Sequence, residues 1–174
     1  MDTTINECTF IRWLFANPTT AISALAAIAA AFSAYFSFRA TELSKIALQG
    51  TTAQNIRINY SSREMYESMR YIQIDRDCYQ DATNERYKNL EKEKSPSFQI
   101  YDMHRRRIVH HFHNIRILSN AGILDKDTVI KIIMPEEVEF LFKYIEPLEK
   151  LKSIYEPATF DFFHKLFPTI KRNQ

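Results

Sequence analysis

From Trp13 to Phe38 the chain runs for 26 residues without a charge, and this run predicts the first element. A helix from Pro18 to Phe38 would rise roughly 31 Å, the thickness of a bilayer's hydrocarbon core. Asn17 suits the N-cap and Pro18 the first helical position, while Trp13 and Tyr35 stand near the two ends, where aromatic belts belong. Asp2 and Glu7 against a single arginine argue against a cleaved signal peptide. Residues 1–17 are read as an N-terminal segment, in which Ile5 to Phe15 could lie in the membrane interface. Residues 18–48 are read as the spanning helix and its extension past Arg39 to about Leu48, or further.

Within the span, residue size is segregated. Thr20, Ser23, Ala27, Ala30, Ala34, Ser37 and Thr41 follow a 3-4-3-4-3-4 spacing, which keeps one small, weakly polar face towards a partner or a shared axis. Ile22, Leu25, Phe32 and Phe36 form an opposing bulky stripe suited to lipid. Eight alanines between Ala21 and Ala34 make a weakly driven span, because insertion draws most from Leu, Ile, Phe and Val. The pattern therefore predicts a self-associating helix, and a ring of such helices around a small polar lumen would be a pore. Arg39, Lys45 and Arg57 follow the span and only Arg12 precedes it, so the positive-inside bias places the C-terminal portion in the cytoplasm.

The remaining pattern, residues 49–174, is helical throughout, which predicts an all-α domain. Ser61 with Glu64 reads as a capping box opening a helix with Met65, Met69, Ile72 and Tyr79 inward and a charged, solvated far end through Lys94. Ser95-Pro96-Ser97 breaks and restarts the chain. The next helix runs from Phe98 to about Asn120, with Ile108, Phe112 and Ile115 as its core stripe and Gly122 as its stop. Asp125 caps a short helix through Ile133. Pro135 starts another, with Val138, Leu141, Phe142 and Ile145 inward and a kink or end near Pro147. Pro157 starts the last, where Phe160, Phe163 and Phe167 share a face.

Composition narrows the chemistry. Two glycines, Gly50 and Gly122, leave no Gly-rich phosphate loop of the P-loop or Rossmann kind. Cys8 and Cys78 are isolated, so neither a disulfide framework nor a structural zinc is expected, and no cofactor is. The net charge of +2 is too small to imply nucleic-acid binding, but it is unevenly spread. Residues 98–118 hold four arginines, four histidines and one aspartate, whereas residues 135–161 hold seven acids and three lysines.

The one cluster with chemistry is His-Arg-Arg-Arg-Ile-Val-His-His-Phe-His at residues 104–113. On a helix with Ile108 and Phe112 inward, Arg106, His110 and His113 share the outward face. His104 and His111 flank the core on one side and Arg105 on the other. Arg105 with His110, or Arg106 with His111, forms an R-x4-H pair, in which histidine can move a proton while arginine stabilises phosphorane charge. Arg106, Arg107 and His113 could instead hold RNA phosphates or a neighbouring subunit. The blander explanation is a polar face packed against Glu136, Glu137 and Glu139. A metal site lacks a local acidic or cysteine co-ligand.

A small all-α cytoplasmic domain, an R-x4-H on its central helix and one N-terminal span together resemble the membrane accessory proteins encoded beside the RNA-targeting effector of type VI-B CRISPR systems. The resemblance covers the layout of the whole chain, with motif-level support only from Arg105 to His113. It implies a HEPN-like helical bundle, a homo-oligomeric, eightfold ring forming a pore in the bacterial inner membrane, and a role in strengthening antiviral defence by the RNA-targeting effector. One position departs from the HEPN ribonuclease pattern: the residue after the arginine is usually Asn, Asp or His, and here it is Arg106 or Arg107, which points away from nuclease activity. A membrane-anchored RNA endonuclease, or a scaffold recruiting RNA or an effector to the bilayer, are the other readings.

Overall fold

The computed structural model describes residues 16, 18–78, 83–93, 95–152 and 155–171, and among these every regular element is helical. Trp13, Asn17, the stretch from Ile5 to Phe15 and Tyr79 lie outside the described residues. The chain divides into two compact units at Ala47/Leu48.

The first unit is formed by the N-terminal part of α1 (Pro18–Tyr60). Its 18-residue apolar window has mean hydropathy 1.8 and no buried residue, so this is one helix long and apolar enough to cross a membrane. The helix takes the longer of the two courses and continues past Leu48 to Tyr60. Gly50 lies inside it at a cost of about 1 kcal/mol, and the turns that follow are held by the second unit through Ile56 and Arg57.

The second unit is a helical bundle. Ser62, one residue later than expected, caps α2 (Arg63–Cys78) by accepting from the Met65 amide at 3.2 Å. The charged stretch after it is a separate helix, α3 (Thr83–Glu93), and it is not wholly solvated: Tyr87 is buried, edge-on to Phe98 and Tyr101. At the centre is α4 (Pro96–Asn120), opened by Ser95, whose Oγ accepts from the Phe98 amide at 3.1 Å. It packs against α2, α3 and the later helices, with Ile108, Phe112 and Ile115 fully inside. Gly122, at φ 71°, takes the left-handed conformation that ends such a helix without a Cβ penalty.

Asp125 caps α5 (Lys126–Ile132), accepting from the Thr128 amide at 2.7 Å. Pro135 opens α6 (Pro135–Phe140), which continues into a π-helical turn, Leu141–Ile145, and then α7 (Glu146–Lys150). The Glu146 amide donates to the Leu141 carbonyl, five residues back, and the kink expected at Pro147 takes this form. Pro147 has no N–H to continue an α ladder, so a wider turn just before it accommodates the break. The last helix, α8 (Ala158–Leu166), seats Phe163 edge-on against Phe112 at 5.2 Å.

Candidate functional site

The period of α4 sorts its polar residues into three environments. On one flank, Arg105 is 1% exposed and forms ion pairs with Asp102 and with Glu149 of α7. Its Nε donates to Asp102 Oδ1 at 2.9 Å, and the exposed Arg106 reaches the other oxygen of Asp102 at 2.6 Å. Burial would raise the Asp102 pKa, but hydrogen bonding and charge from Arg105, with the charge of Arg106, hold it below the usual carboxylate range. Lys152, 4.0 Å from Glu149, has its pKa lowered by burial and by the charge of Arg105. This is a buried ionic knot, with both faces of the Arg105 fork occupied.

On the other flank, His104 stacks on Tyr71 at 4.6 Å, and its Nδ1 lies 3.0 Å from Ser68 Oγ. Arg107 donates to the Glu64 carbonyl at 3.1 Å and to Ser68 Oγ at 3.2 Å. Burial, then the charge of Arg107, lowers the His104 pKa. His111 is buried against Tyr60, ring centres 5.2 Å apart, with no hydrogen-bond partner for Nε2 among the described residues. Burial, with a smaller push from Arg57, takes its pKa down to about 4, so the ring is neutral at physiological pH.

The outward face carries Arg106, His110 and Asn114, all exposed. His113 is half-buried, with Nδ1 3.4 Å from Arg116 Nη2 and 3.4 Å from Thr159 Oγ1.

The sequence pairs are therefore redistributed. Arg105 is committed to Asp102 and Glu149, while His110 stands in solvent. Arg106 is tied to Asp102, while His111 faces Tyr60. The guanidinium that does share a cleft with His110 and His111 is Arg107. Those three and Asn114 line an opening of about 340 Å³ with Asn59, Ser62, Glu64 and Met65. Comparison with protein-family models, curated proteins and solved structures returned no match. The chemistry of the cleft rests on its own residues: a guanidinium to hold a phosphate oxygen, an exposed imidazole, and a neutral imidazole behind it.

Of the acids proposed to cover the basic helix, Glu137 instead pairs with Arg57 at 2.6 Å, and Arg57 also donates to the Ile132 carbonyl at 3.2 Å. Burial raises the Glu137 pKa against the pull of Arg57. Glu136 and Glu139 are exposed. The acids that do neutralise the basic helix are Asp102, within it, and Glu149. The spacing of Asp102 to Arg105 and Arg106, i+3 and i+4, was legible in the sequence. The partnership with Glu149, 44 residues beyond Arg105, was not.

In the first unit Thr20, Ser23, Ala27, Ala30, Ala34, Ser37 and Thr41 are all exposed, as are Ile22, Leu25, Phe32 and Phe36. Ser23 Oγ donates to the Thr19 carbonyl and Thr41 Oγ1 to the Ser37 carbonyl, each at 2.9 Å. These hydroxyls satisfy themselves within the helix, which suits a low-dielectric surrounding.

Proposed function

We propose that this protein is an oligomeric pore of the bacterial inner membrane. It acts as an accessory effector that strengthens antiviral defence by an RNA-targeting CRISPR effector, by permeabilising or depolarising the membrane. The observation that carries the reading is the apolar stretch of α1, whose candidate spanning window is wholly uncovered by the rest of the described chain. A helix of mean hydropathy 1.8 left in water would expose a continuous apolar surface of a kind that soluble monomers avoid. Lipid covers the bulky stripe in this reading. Other copies cover the small stripe, whose short side chains permit close backbone approach. The Leu48–Gln174 unit is then a HEPN-like cytoplasmic domain that assembles as a ring, eightfold by the resemblance, and couples the pore to its partner.

Light scattering and negative-stain imaging of detergent-extracted protein test this directly. A large, uniform ring is expected, lost in an Ala27→Leu/Ala30→Leu variant that still inserts. A monomer or dimer sinks the ring.

A second reading draws on the cleft around Arg107, His110 and His111: a membrane-anchored RNA-binding protein or endonuclease. Salt-sensitive RNA binding or cleavage that disappears in Arg107→Ala/His110→Ala favours it. Full defence by that variant removes it.

A further inference from the structure

Away from the basic–histidine cleft, a second opening forms where the end of α4, the turn into α5 and the face of α8 meet. Its volume is about 720 Å³, inside the range of small-molecule sites. Three cations reach it from three elements: Arg116 on α4, Lys126 on α5 and Lys165 on α8. Neither lysine has an ion-pair partner among the described residues.

Two carboxylates also line the opening, Asp125 and Asp161, so three cations face two acids. Asp125 accepts from the Thr128 amide through Oδ1 and from Gln49 Nε2, at 3.4 Å, through Oδ2. These bonds, the Thr128 amide first, hold its pKa below the usual range. Asp161 is likewise engaged.

Arg116 adds an observation of another kind. Its Nη2 lies 3.4 Å from His113, but its Nε is buried with no acceptor among the described residues. A buried N–H without a partner is costly, so this guanidinium is not fully satisfied by the groups packed around it. The cavity also has an apolar wall in Leu124 and the half-buried Phe162, whose ring is braced edge-on by Phe163 at 5.1 Å.

We propose that this cavity binds a soluble, phosphorylated small molecule of nucleotide size. Lys126, Lys165 and Arg116 hold its phosphates, and its planar or apolar part lies against Phe162. Three cations against Asp125 and Asp161 leave the opening net positive, which favours an anionic ligand. A guanidinium fork with an unused N–H fits phosphate oxygens in particular.

The test is calorimetric titration of the full chain in uncharged detergent with ATP and, separately, with inorganic pyrophosphate. Both are expected to bind, more weakly as salt rises. In Lys126→Glu/Lys165→Glu the affinity is expected to fall at least tenfold, with unchanged helicity because both side chains are exposed. Arg107→Ala/His110→Ala, in the other cleft, is expected to leave it unchanged. The proposal is overturned if neither probe binds at millimolar concentration, or if binding survives in the double lysine variant. It is overturned equally if binding is lost with Arg107 and His110, or is seen only with vesicles carrying phosphoinositide. None of these outcomes depends on ring formation.

Discussion

Replacing Arg105 with methionine gives the sharpest test of whether the basic helix is built for chemistry or for architecture. The substitution keeps most of the apolar stem of the side chain but removes a charge that is 1% exposed and paired with two carboxylates. Breaking a buried pair by removing one partner costs about 3–5 kcal/mol, because the remaining charge stays buried. Two features place Arg105→Met near the lower end. Asp102 keeps Arg106 at 2.6 Å, and Glu149 keeps Lys152 at 4.0 Å. A loss of about 3 kcal/mol moves a urea midpoint by about 1–3 M for a small domain. It also removes a large part of the roughly 5–15 kcal/mol typical of folded proteins. The assay is urea unfolding of the full chain in mild detergent, followed by far-ultraviolet circular dichroism. The companion variant Arg105→Met/Glu149→Leu removes the orphaned acid and should recover most of the loss. A cost below about 1 kcal/mol for Arg105→Met, or no recovery in the pair, would refute the ionic-knot account and return Arg105 to the list of groups free to act on a ligand.

Two further tests concern pH and backbone. His111 has its pKa lowered to about 4 in the fold, against about 6.5 unfolded. The unfolded chain therefore binds the proton more readily, and this contribution is complete above about pH 6.5 and lost as pH falls towards 4. The domain should lose about 2 kcal/mol between pH 7.5 and pH 5 from this group, and His111→Phe should flatten that slope in urea midpoints taken at the two values; an unchanged slope would contradict the burial argument. Gly50 sits inside α1 with open space where a Cβ would be, so Gly50→Ala should stabilise by about 0.5–1 kcal/mol. Gly122→Ala, at φ 71° with equal space, should destabilise by about 1 kcal/mol from strain alone. Thermal midpoints of the two variants should move in opposite directions.

Much of the fold could be read from local signals because the elements are locally specified. Ser95, Asp125 and Pro135 mark starts and Gly122 a stop, and the stripes on α4, α6 and α8 carry the periodicity of their own core faces. What escaped was decided by tertiary contact. The end of α1 is stabilised by Arg57 meeting Glu137, 80 residues away, which no helix propensity after Gly50 announces. Tyr87 is buried in a segment whose composition reads as solvated, because a single aromatic in the whole helix is enough once Phe98 and Tyr101 supply the other side. In the basic cluster the spacing named the residues but not their allegiances. R-x4-H counts positions along one helix, whereas a site needs side chains that point into one space, and α4 turns Arg105 and His110 into different ones.

The π turn at Leu141–Ile145 carries a consequence for descent. Such a turn is what a single-residue insertion leaves behind in a helix, and every residue after it stands about 100° further round than it otherwise would. Glu149 lies beyond that turn, and Glu149 is the acid that meets Arg105. Loss of one residue, for example the exposed Lys143, would swing the carboxylate away from its arginine. The wide turn and the buried pair thus depend on one another. A lineage that sheds one is expected to have shed the charge of the other.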